Sequence, residues 1–596
     1  MADEVTLNLP RDSTLAEKNE LDRKRNDLLA AIAAGNAGPE FIDSVFARLL
    51  DDTNTTEIFY AWLPLAMAAS SATLYSALCR FGVMLRVNRS LTVRFADESV
   101  SGDPSGVGLD WLANKKAAPL ATDTVDPADD WTIETRETWY VRANAVSNAD
   151  GTMNVKAIEG YGDGFDVTGE TYPVYVFAPA LYVKEWSDGQ YYYKSWRSTP
   201  SGGYADREEN LFPDGSRRSI VWHPAFPGGL NSSGALTSGA GRKCYNFASA
   251  SAGIVAARKM SANEGLWTDC DTIYVLDQWQ LRHWNLENSR IMEGCTSYSV
   301  QNVVAKAESG VKRVLVTKAQ GTSFIVGSTV SIGDKGTNSS SDRSNAYMRN
   351  IADLVQISSI ETVAIDGTEY AAINLAIDAA IDVPTTAWIS SMPWHSGATE
   401  SVKGHHDGSP VSNTSGKYPC RCAGIEMMNG AYTLGLDPLY NVTKTEGGNG
   451  RIYTAYSCRT ASKQASSITS DYKESGIVAT FATNNAWQYV RKFIKTLRGV
   501  LLPEKVGGSE TTFFKSAFYV SGGAGLYSPW RFANLNNNGN AGFAAENGNN
   551  GPGNANWNGS PRHTEKVSIR SEHSVLRREI PCLMAKIIGY RRPAPD

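Results

Sequence analysis

The alternation of apolar and polar residues predicts two short helices at the beginning of the chain. The first has three apolar residues at spacings of seven and four in a charged segment and stops at a glycine: Leu21, Leu28, Ile32 and Gly35. The second has a cleaner apolar face: Phe41, Ile42, Val45, Phe46, Leu49 and Leu50. Such spacings place side chains on one face of a helix. Residues 1–80 are interpreted as a helical segment that either packs conventionally or anchors and trimerises the protein.

An uncharged run covers residues 58–79, and its length would allow it to span a membrane. The run contains Pro64 and several Ser and Thr residues, and no Lys or Arg marks its beginning. We therefore expect a buried helix pair or a subunit contact in this region, and no membrane insertion.

From about Phe81 to Trp196 the pattern changes to a period of two, which is typical of β-strands. Three segments have this period: FGVMLRVNRSLTVRF, WTIETRETWYVRA and YPVYVFAPALYVKEW. Asp-Gly pairs at 150–151 and 188–189 fit two-residue hairpin turns. Residues 81–214 are predicted to form a β-rich domain, either a sandwich or an intertwined β region.

Helical periodicity returns in residues 248–260 and 271–292. A third helix is predicted further along, at residues 487–497. Its apolar positions are Trp487, Tyr489, Val490, Phe493, Ile494 and Leu497. These helices are expected to belong to one α+β domain.

Residues 303–393 differ in composition from the segments on either side. They contain the strand-like sequences VKRVLVTKA and FIVGSTVSIGD and an Asp-Gly pair at 366–367. This pattern predicts a small β-barrel-like module. The module would be inserted into a split domain made of residues 215–302 and 394–596.

The composition is that of a globular protein, since 42% of the 596 residues are apolar and 20% are charged. The net charge of −5 gives no basic footprint for nucleic acid, which is therefore not an expected partner. The sequence MADEVTLNLPRD at the start is acidic and polar, so no secretory signal is expected. In that setting the eight scattered cysteines, which lack zinc-ligand spacing, are predicted to be mostly reduced thiols that act as small apolar residues.

Few residues are candidates for chemistry. His405, His406 and Asp407 form a histidine-carboxylate block in a Gly/Ser-rich loop, and such groups could bind a metal or transfer protons. A loop capped by its own Asp407 is the alternative. Asp437 and Glu446 are weaker candidates for a calcium ion, because no spaced acidic loop surrounds them. We predict no catalytic residues, no metal site and no cofactor.

One segment has an unusual composition: residues 534–558 contain eleven Asn among twenty-five residues, interleaved with Gly and Ala. Asn and Gly tolerate turn and left-handed conformations, so neither a regular helix nor a strand is expected. Such a run can be a disordered linker. Phe543 and Trp557 within it, and the apolar sequences GVLLP and PCLMAKIIGY on its two sides, favour an ordered surface loop. Uncharged amides suit adaptable polar recognition.

A pattern runs through this segment: Asn-Asn-Gly, Asn-Ala-Gly, an aromatic residue, Asn-Asn, Pro, Asn-Trp-Asn and Arg. Its positions are Asn537, Asn538, Gly539, Asn540, Ala541, Gly542, Phe543, Asn549, Asn550, Pro552, Asn556, Trp557, Asn558 and Arg562. The pattern resembles the variable region of proteins diversified by retroelements, in which randomised adenines favour Asn codons. The GCTSYS block at residues 294–299 is also similar to phage members of that family. The usual Ile-Gly-Phe-Arg ending is replaced here by Gly-Ser-Pro-Arg at residues 559–562.

The resemblance implies a C-type-lectin-like α+β fold, related to the formylglycine-generating enzyme fold, for the split domain. It also implies a bacteriophage tail-fibre or receptor-binding protein of the major tropism determinant class. Such a protein would be made in the host cytoplasm, reside as a homotrimer in the virion beside other virion proteins, and bind a host surface protein or glycan. The predicted contact residues are Asn534, Asn536, Asn537, Asn538, Asn540, Phe543, Asn547, Asn549, Asn550, Asn554, Asn556, Trp557 and Asn558.

Two alternatives remain open from the sequence. One is a phage head-fibre or capsid-decoration protein with the same lectin-like tip. The other is a lectin-fold enzyme related to sulfatase-modifying factors, for which Cys420 and Cys422 are the nearest cysteine pair, although their spacing does not match that family. We favour a binding protein without catalysis.

Overall fold

The computed structural model describes residues 15–50, 54–70, 73–128, 135–212, 214–494 and 499–564. Over these ranges the chain is multidomain and mostly β, with seven α-helices and several β-sheets. Residues 1–14 of the predicted helical segment and residues 565–596 of the predicted split domain lie outside the described part of the chain.

Four helices begin the described chain: α1 (Leu15–Ala33), α2 (Pro39–Leu49), α3 (Thr55–Ala69) and α4 (Leu74–Met84). Gly35 follows α1 with a left-handed φ of 73°, a conformation that glycine adopts without strain. The Asn54 side chain caps α3 by accepting the N–H groups of Thr56 and Glu57 at 2.9 and 3.1 Å. The two helices predicted from the spacing of apolar residues are therefore confirmed.

The uncharged run of residues 58–79 forms most of α3 and the first half of α4 rather than one continuous helix. Ile58, Trp62 and Leu65 of α3 and Leu78 of α4 are all buried. This is the arrangement of a helix pair in a protein core. No helix among the described residues is long and apolar enough to cross a membrane.

Nine strands follow: β1 (Leu91–Ala96), β2 (Gly106–Asp110), β3 (Val141–Ser147), β4 (Met153–Ile158), β5 (Val174–Pro179), β6 (Tyr182–Ser187), β7 (Tyr191–Arg197), β8 (Ala205–Asp206) and β9 (Ile220–Pro224). They form one sheet in the order β2-β1-β7-β6-β8 and another in the order β4-β3-β5-β9. The Asp-Gly pairs at 150–151 and 188–189 lie in the turns of the β3–β4 and β6–β7 hairpins, as predicted.

The four helices and the four-stranded sheet share one hydrophobic core. Phe59 and Phe81 pack against Trp139, with ring centroids 5.1 and 4.9 Å apart. Phe177 of β5 and Trp222 of β9 belong to the same cluster. The helices therefore cover one face of this sheet, and helices and sheet stabilise each other.

The β pattern begins later than predicted. Residues 81–84, expected to open the first strand, belong to α4, and the first strand begins at Leu91. Leu78, Phe81 and Leu85 are buried together. Their spacings of three and four residues match a helix facing the core, and this burial outweighs the local period of two.

The chain then forms β10 (Gly228–Leu230), β11 (Leu236–Ser238), α5 (Ala250–Ala257), β12 (Gly265–Thr268) and α6 (Asp269–His283). Thr268 and Asp271 form a capping box at the start of α6, and Trp284 ends the helix with a left-handed φ of 49°. All residues of α6 are buried, as in a helix at the centre of a domain. The predicted helices exist but are shorter than expected, since α6 was predicted to continue to residue 292.

Residues 301–392 build sheets from their own strands only. These are β13 (Gln301–Val303), β14 (Glu308–Val311), β15 (Arg313–Thr317), β16 (Thr329–Asp334), β17 (Ala352–Ile365), β18 (Thr368–Leu375), β19 (Ile381–Val383) and β20 (Ala387–Met392), with the short α7 (Lys318–Gly321). The main sheet has the order β13-β20-β16-β17-β18-β15. Asp366 and Gly367 both have positive φ, of 51° and 77°, and close the β17–β18 hairpin as predicted.

The remaining strands are β21 (Cys420–Cys422), β22 (Ile425–Met427), β23 (Tyr432–Asp437), β24 (Leu439–Lys444), β25 (Arg451–Ser457), β26 (Lys473–Phe481), β27 (Ala486–Phe493), β28 (Pro503–Val506), β29 (Ala517–Val520), β30 (Gly525–Tyr527), β31 (Trp530–Arg531), β32 (Glu546–Asn547), β33 (Gly559–Pro561) and β34 (His563–Thr564). The largest sheet has the order β28-β27-β29-β32-β31-β23-β12-β34, with β33 also paired to β23. Because β12 precedes the module and its neighbours β23 and β34 follow it, the two segments flanking the module share one sheet.

The helix predicted at residues 487–497 is wrong for residues 487–493, because residues 486–493 form β27. Residues 495–497, with the predicted apolar position Leu497, lie outside the described part of the chain. Trp487 lies opposite Tyr519 of β29, and their rings meet edge to face with centroids 5.0 Å apart. The aromatic and β-branched residues of this segment fit a pleated sheet, where such cross-strand pairs are favourable. The apolar residues of this segment fit both the helical and the strand period. Pairing with the neighbouring strands β28 and β29 favours the strand.

Candidate functional site

The Asn-rich segment is attached to the largest sheet at three places. Strands β31 and β33 pair with β23, and β32 pairs with β29. Two loops, at residues 532–545 and 548–558, connect these short strands. The segment is therefore an ordered pair of loops, called here the Asn loops, and the sheet fixes the ends of both.

The backbone of the first Asn loop is held by residues next to the module. Leu535 donates its N–H to Gly430 O at 3.1 Å and accepts the N–H of Tyr298 at 2.9 Å. Asn538 donates its N–H to Thr296 O at 3.0 Å. Thr296 and Tyr298 belong to the GCTSYS block, so this block supports the first loop.

Two asparagine side chains shape the first loop from inside. Asn537 Oδ1 accepts the N–H of Asn534 at 2.7 Å, and Asn534 Oδ1 accepts the N–H of Asn536 at 2.9 Å. Asn534 and Asn537 are buried, with 4% and 9% of their surface exposed. Because these buried amides accept hydrogen bonds from backbone N–H groups of the same loop, they stabilise its conformation. Asn534 and Asn537, predicted as ligand contacts, are therefore buried residues that stabilise the loop.

Phe543 and Trp557, also predicted as contacts, lie beneath the loops. Phe543 is 1% exposed and meets Trp279 edge to face, with ring centroids 5.6 Å apart. Trp557 is 7% exposed, and the guanidinium of Arg343 lies 4.7 Å from its ring. Rings that are covered in this way contribute packing.

The second Asn loop connects the sheet domain with the inserted module. Asn556 O accepts the N–H of Phe247 at 2.9 Å, and its side-chain Oδ1 accepts a hydrogen bond from Ser344 Oγ at 3.1 Å. Pro552 O accepts the N–H of Ser251 at 3.1 Å. Because Ser344 belongs to the module, the module is in direct contact with the second loop.

Nine of the predicted contact residues are exposed or half-buried. Asn536, Asn538 and Asn554 are exposed. The half-buried members are Asn540, Asn547, Asn549, Asn550, Asn556 and Asn558. Asn538 has a left-handed φ of 48°, which Asn tolerates better than most residues. Except for Asn558, whose Oδ1 is buried, these are the amides of the segment that remain accessible from outside.

Two aromatic residues outside the segment adjoin this surface. Trp487, Tyr519 and Asn547 occupy directly opposite positions on β27, β29 and β32, so their side chains point to the same face of the sheet. All three are half-buried, and Tyr519 Oη donates to Asn485 Oδ1 at 2.9 Å. The sequence analysis did not predict this row. Reading residues 486–493 with a period of two would have placed Trp487 on the face of a strand.

A buried ion network lies under the Asn loops. The guanidinium of Arg531 is 2.6 Å from Asp269 Oδ1 and 2.5 Å from Glu546 Oε2, and it donates to Leu501 O at 2.9 Å. Burial raises the pKa of Glu546 to about 8 despite the opposing charge of Arg531, and the charge of Asp269 adds to the rise. The guanidinium of Arg531 is thus the shared counter-charge of two buried carboxylates, those of Asp269 and Glu546. Glu546 is the one charged residue between positions 534 and 558, a signal visible in the sequence.

The histidine-carboxylate block is dispersed by the fold. Asp407 is buried and accepts hydrogen bonds from Arg282 at 2.9 Å and from His283 at 2.8 Å. Burial alone would raise the pKa of Asp407, but the Arg282 charge and the His283 contact outweigh it and lower that pKa. Burial lowers the pKa of His405 to about 4. Asp407 therefore ties α6 to its loop, and no His, Cys, Asp and Glu cluster suited to a metal occurs among the described residues.

Cys420 and Cys422 lie on β21 with their side chains fully buried. Burial raises the pKa of both thiols well above the usual value, and the nearby carboxylates Glu426 and Asp407 raise it further for Cys420 and Cys422 respectively. Because the thiolate is the reactive form, these thiols are suited to packing rather than to nucleophilic attack. The seven cysteines in the described ranges form no disulfide with one another, and Cys582 lies outside these ranges.

Asp437 and Glu446, the residues considered for calcium, have different environments. Asp437 is buried, and its carboxylate lies 2.6 Å from Arg459. Burial raises the pKa of Asp437 to about 7, although Arg459 opposes the rise. Glu446 is exposed in a loop. Asp437 is therefore part of a buried ion pair.

No protein-family model matches the chain, and no curated protein matches it either. The function has therefore to be inferred from the Asn loops and the groups around them.

Proposed function

We propose that this chain is a bacteriophage receptor-binding protein of the tail-fibre type. It attaches the virion to the host cell surface through the exposed amides of the Asn loops. Its split domain has a C-type-lectin-like fold, and its N-terminal helices contribute to a homotrimer that is joined to other virion proteins. The receptor is a protein or glycan of the host surface.

The observation that supports the proposal is that some residues of the Asn loops are buried and stabilise the loops, whereas other residues remain accessible. Asn534, Asn537, Phe543 and Trp557 are buried and hold the loops in place, while eight Asn side chains, those other than Asn558 with its buried Oδ1, remain exposed or half-buried. The backbone of both loops is fixed by hydrogen bonds to residues outside them. Loops fixed in this way lose little conformational freedom on binding, which favours affinity.

The arrangement of the split domain supports a lectin-like fold. Strand β12 and helices α5 and α6 come before the inserted module, and β23 to β34 come after it. Strand β12 lies between β23 and β34, so early and late parts of the domain are paired. The result is one sheet, built from both segments, from which long loops can project.

Multivalent binding by the homotrimer accounts for attachment without chemistry. A single loop pair offering neutral amides would bind weakly, but several copies engaged together give a much higher avidity. The buried state of Cys420 and Cys422 and of Asp407 also favours recognition over catalysis. The side chains of these residues contact other residues of the same chain and are not accessible to a substrate.

Binding of the purified protein to intact host cells tests the proposal. Asn536→Ala with Asn554→Ala removes two exposed amides of the Asn loops, and Asn114→Ala with Asn154→Ala removes two exposed amides elsewhere. We expect the first double variant to lose most binding and the second to bind like the wild type. Equal binding by both variants would contradict recognition through the Asn loops.

A further inference from the structure

The inserted module carries a polar loop next to the second Asn loop. This loop, called here the Ser loop, comprises residues 336–345 between β16 and β17, with the sequence GTNSSSDRSN. Hydroxyl and amide side chains predominate in it, and these groups both donate and accept hydrogen bonds. Its exposed side chains are those of Thr337, Asn338, Ser339, Ser340, Asp342 and Ser344. The Ser loop therefore offers the same kind of contact group as the Asn loops.

Side chains of the module hold the backbone of the Ser loop in place. Gln301 Nε2 donates to Ser341 O at 3.0 Å, and Tyr347 Oη donates to Ser340 O at 3.0 Å. Gln301 lies on β13, and Tyr347 follows the loop in the sequence. A loop held in this way loses little conformational freedom when a partner binds to it.

The buried Arg343 joins the Ser loop to the second Asn loop. Arg343 is 6% exposed, and it donates to Ser391 O of β20 at 2.6 Å and to Ser299 Oγ of the GCTSYS block at 2.9 Å. Its guanidinium also lies 4.7 Å from the ring of Trp557, within the range of a cation–π interaction. One side chain thus fixes the position of the Ser loop relative to the second Asn loop.

The two loops also meet at the surface. Ser344 Oγ donates to Asn556 Oδ1 at 3.1 Å, and the exposed Asn554 lies two residues before Asn556. Next to this contact, the guanidinium of Arg349 lies 3.7 Å from the ring of Phe247, whose N–H donates to Asn556 O at 2.9 Å. The exposed surface of the Ser loop is therefore continuous with that of the second Asn loop.

We propose that the Ser loop and the second Asn loop form one composite contact surface, so that the host receptor bound by the second Asn loop also contacts the Ser loop around Ser344. This inference rests on the proposed attachment through the Asn loops and adds the module to it. A stable interface between two proteins takes about 20 residues or more from each side, whereas the Asn loops provide eight accessible amides. A receptor of that size extends over neighbouring residues, and Ser344 is in direct contact with Asn556.

The composition of the Ser loop indicates which kind of receptor surface it fits. Among its residues only Asp342 and Arg343 are charged, and Arg343 is buried. The exposed hydroxyls and amides gain most from a partner that supplies hydrogen-bond donors and acceptors. The receptor face opposite the Ser loop is therefore polar rather than apolar.

Binding of the purified protein to intact host cells tests the composite surface with two changes at one position. Ser344→Trp adds a bulky ring where the two loops meet, and Ser344→Ala removes the hydrogen bond to Asn556 without adding bulk. We expect Ser344→Trp to weaken binding by about tenfold or more, because its ring keeps the receptor away from both loops. Ser344→Ala should weaken binding by less than about threefold, as for most changes at an exposed position. Equal binding by both variants would overturn the proposal, since Ser344 would then act on the position of Asn556 or not at all.

Thr368→Trp is the matched control for added bulk. Thr368 is exposed in the same module but lies at the other end of β17, beyond the β17–β18 turn, and this variant should bind like the wild type. The double variant Asn536→Ala with Asn554→Ala is the reference for the Asn loops themselves. If the reference loses binding and Ser344→Trp keeps it, the composite surface is wrong and attachment through the Asn loops stands. If the reference keeps binding, the proposed function fails, and the composite surface fails with it.

A second measurement needs no variant and decides the outcome if Ser344→Trp does not fold. Hydroxyl-radical oxidation of the wild type, free and bound to host-cell envelopes, compares Tyr347, whose hydroxyl contacts the Ser loop, with Tyr370 on β18. Both tyrosines are half-buried. We expect binding to lower the oxidation of Tyr347 and to leave that of Tyr370 unchanged. Equal oxidation of Tyr347 in the free and the bound protein would overturn the proposal.

Discussion

Arg531 and Glu546 face each other across the base of the Asn loops, with Nη1 and Oε2 2.5 Å apart and both side chains almost fully buried. The same guanidinium contacts Asp269. Burying ions costs free energy, and one cation cannot compensate two ionised carboxylates fully. Burial and the charge of Asp269 therefore raise the pKa of Glu546 above that of an exposed glutamate, although Arg531 opposes the rise.

The network makes stability depend on pH. The unfolded chain releases the Glu546 proton near pH 4.5, whereas burial raises the folded pKa to about 8. Folding therefore takes up a proton between these values, so the free energy of unfolding falls as the pH rises from 4.5 to 8. We expect Glu546→Gln, which stays neutral, to flatten this decline by about 1 kcal/mol or more. Denaturant unfolding at pH 5, 6.5 and 8 would measure it.

The control for this experiment is Glu504→Gln, which removes a carboxylate that is 42% exposed. It should leave the pH dependence as in the wild type. An unchanged decline in Glu546→Gln would assign the proton to another group, with Asp269 as the first candidate because burial raises its pKa as well.

The supporting amides of the first Asn loop should be separable from the contact amides. Asn537→Ala removes the acceptor of the Asn534 N–H, and Asn534→Ala removes the acceptor of the Asn536 N–H. Each should lower the free energy of unfolding by about 1 kcal/mol, the net value of a typical hydrogen bond with one buried partner left unpaired. Asn536→Ala, on the exposed side, should change it by less than about 0.5 kcal/mol. Urea unfolding checks all three, and equal losses would contradict the division between support and contact.

Local signals in the sequence were sufficient for part of this fold. The helices α1 and α2 follow from apolar spacing, and the Asp366-Gly367 turn follows from a residue pair that accepts two positive φ values. The conformation of these elements can be predicted from nearby residues alone, although α1 and α2 pack in one core with the sheet. A short-range sequence pattern is enough to predict an element when the tertiary structure favours the same conformation.

The other elements and the roles of the asparagine residues depend on contacts between residues that are far apart in the sequence. Residues 486–493 fit a helix or a strand until their neighbours Val506 and Tyr519 are known. Whether an asparagine contacts a ligand or supports a loop depends on partners far away in sequence, as for Asn556 and Ser344. The partner of Arg531 at position 269 is likewise more than two hundred residues distant. A single sequence does not reveal such pairings.

The histidine-carboxylate block should prove to be structural. Asp407→Asn leaves the buried Arg282 without its counter-charge, and breaking a buried ion pair in this way costs about 3–5 kcal/mol. The matched variant is Asp126→Asn, whose carboxylate is 57% exposed and lies 3.2 Å from His406, and it should cost less than about 1 kcal/mol. Thermal or urea unfolding of the two variants gives the comparison. A stable Asp407→Asn protein would mean that Asp407 is retained for a role other than stability.

The aromatic row beside the Asn loops should contribute to attachment. Trp487 and Tyr519 pack edge to face next to Asn547, and aromatic side chains often dominate binding at protein surfaces. Changing both to Ala should weaken host-cell binding by about tenfold or more, which corresponds to about 1.4 kcal/mol. The control pair is Trp186 and Tyr193, which stack 4.9 Å apart on β6 and β7, and its loss should leave binding unchanged. If the two pairs have the same effect, aromatic area in general, rather than the surface next to the Asn loops, determines attachment.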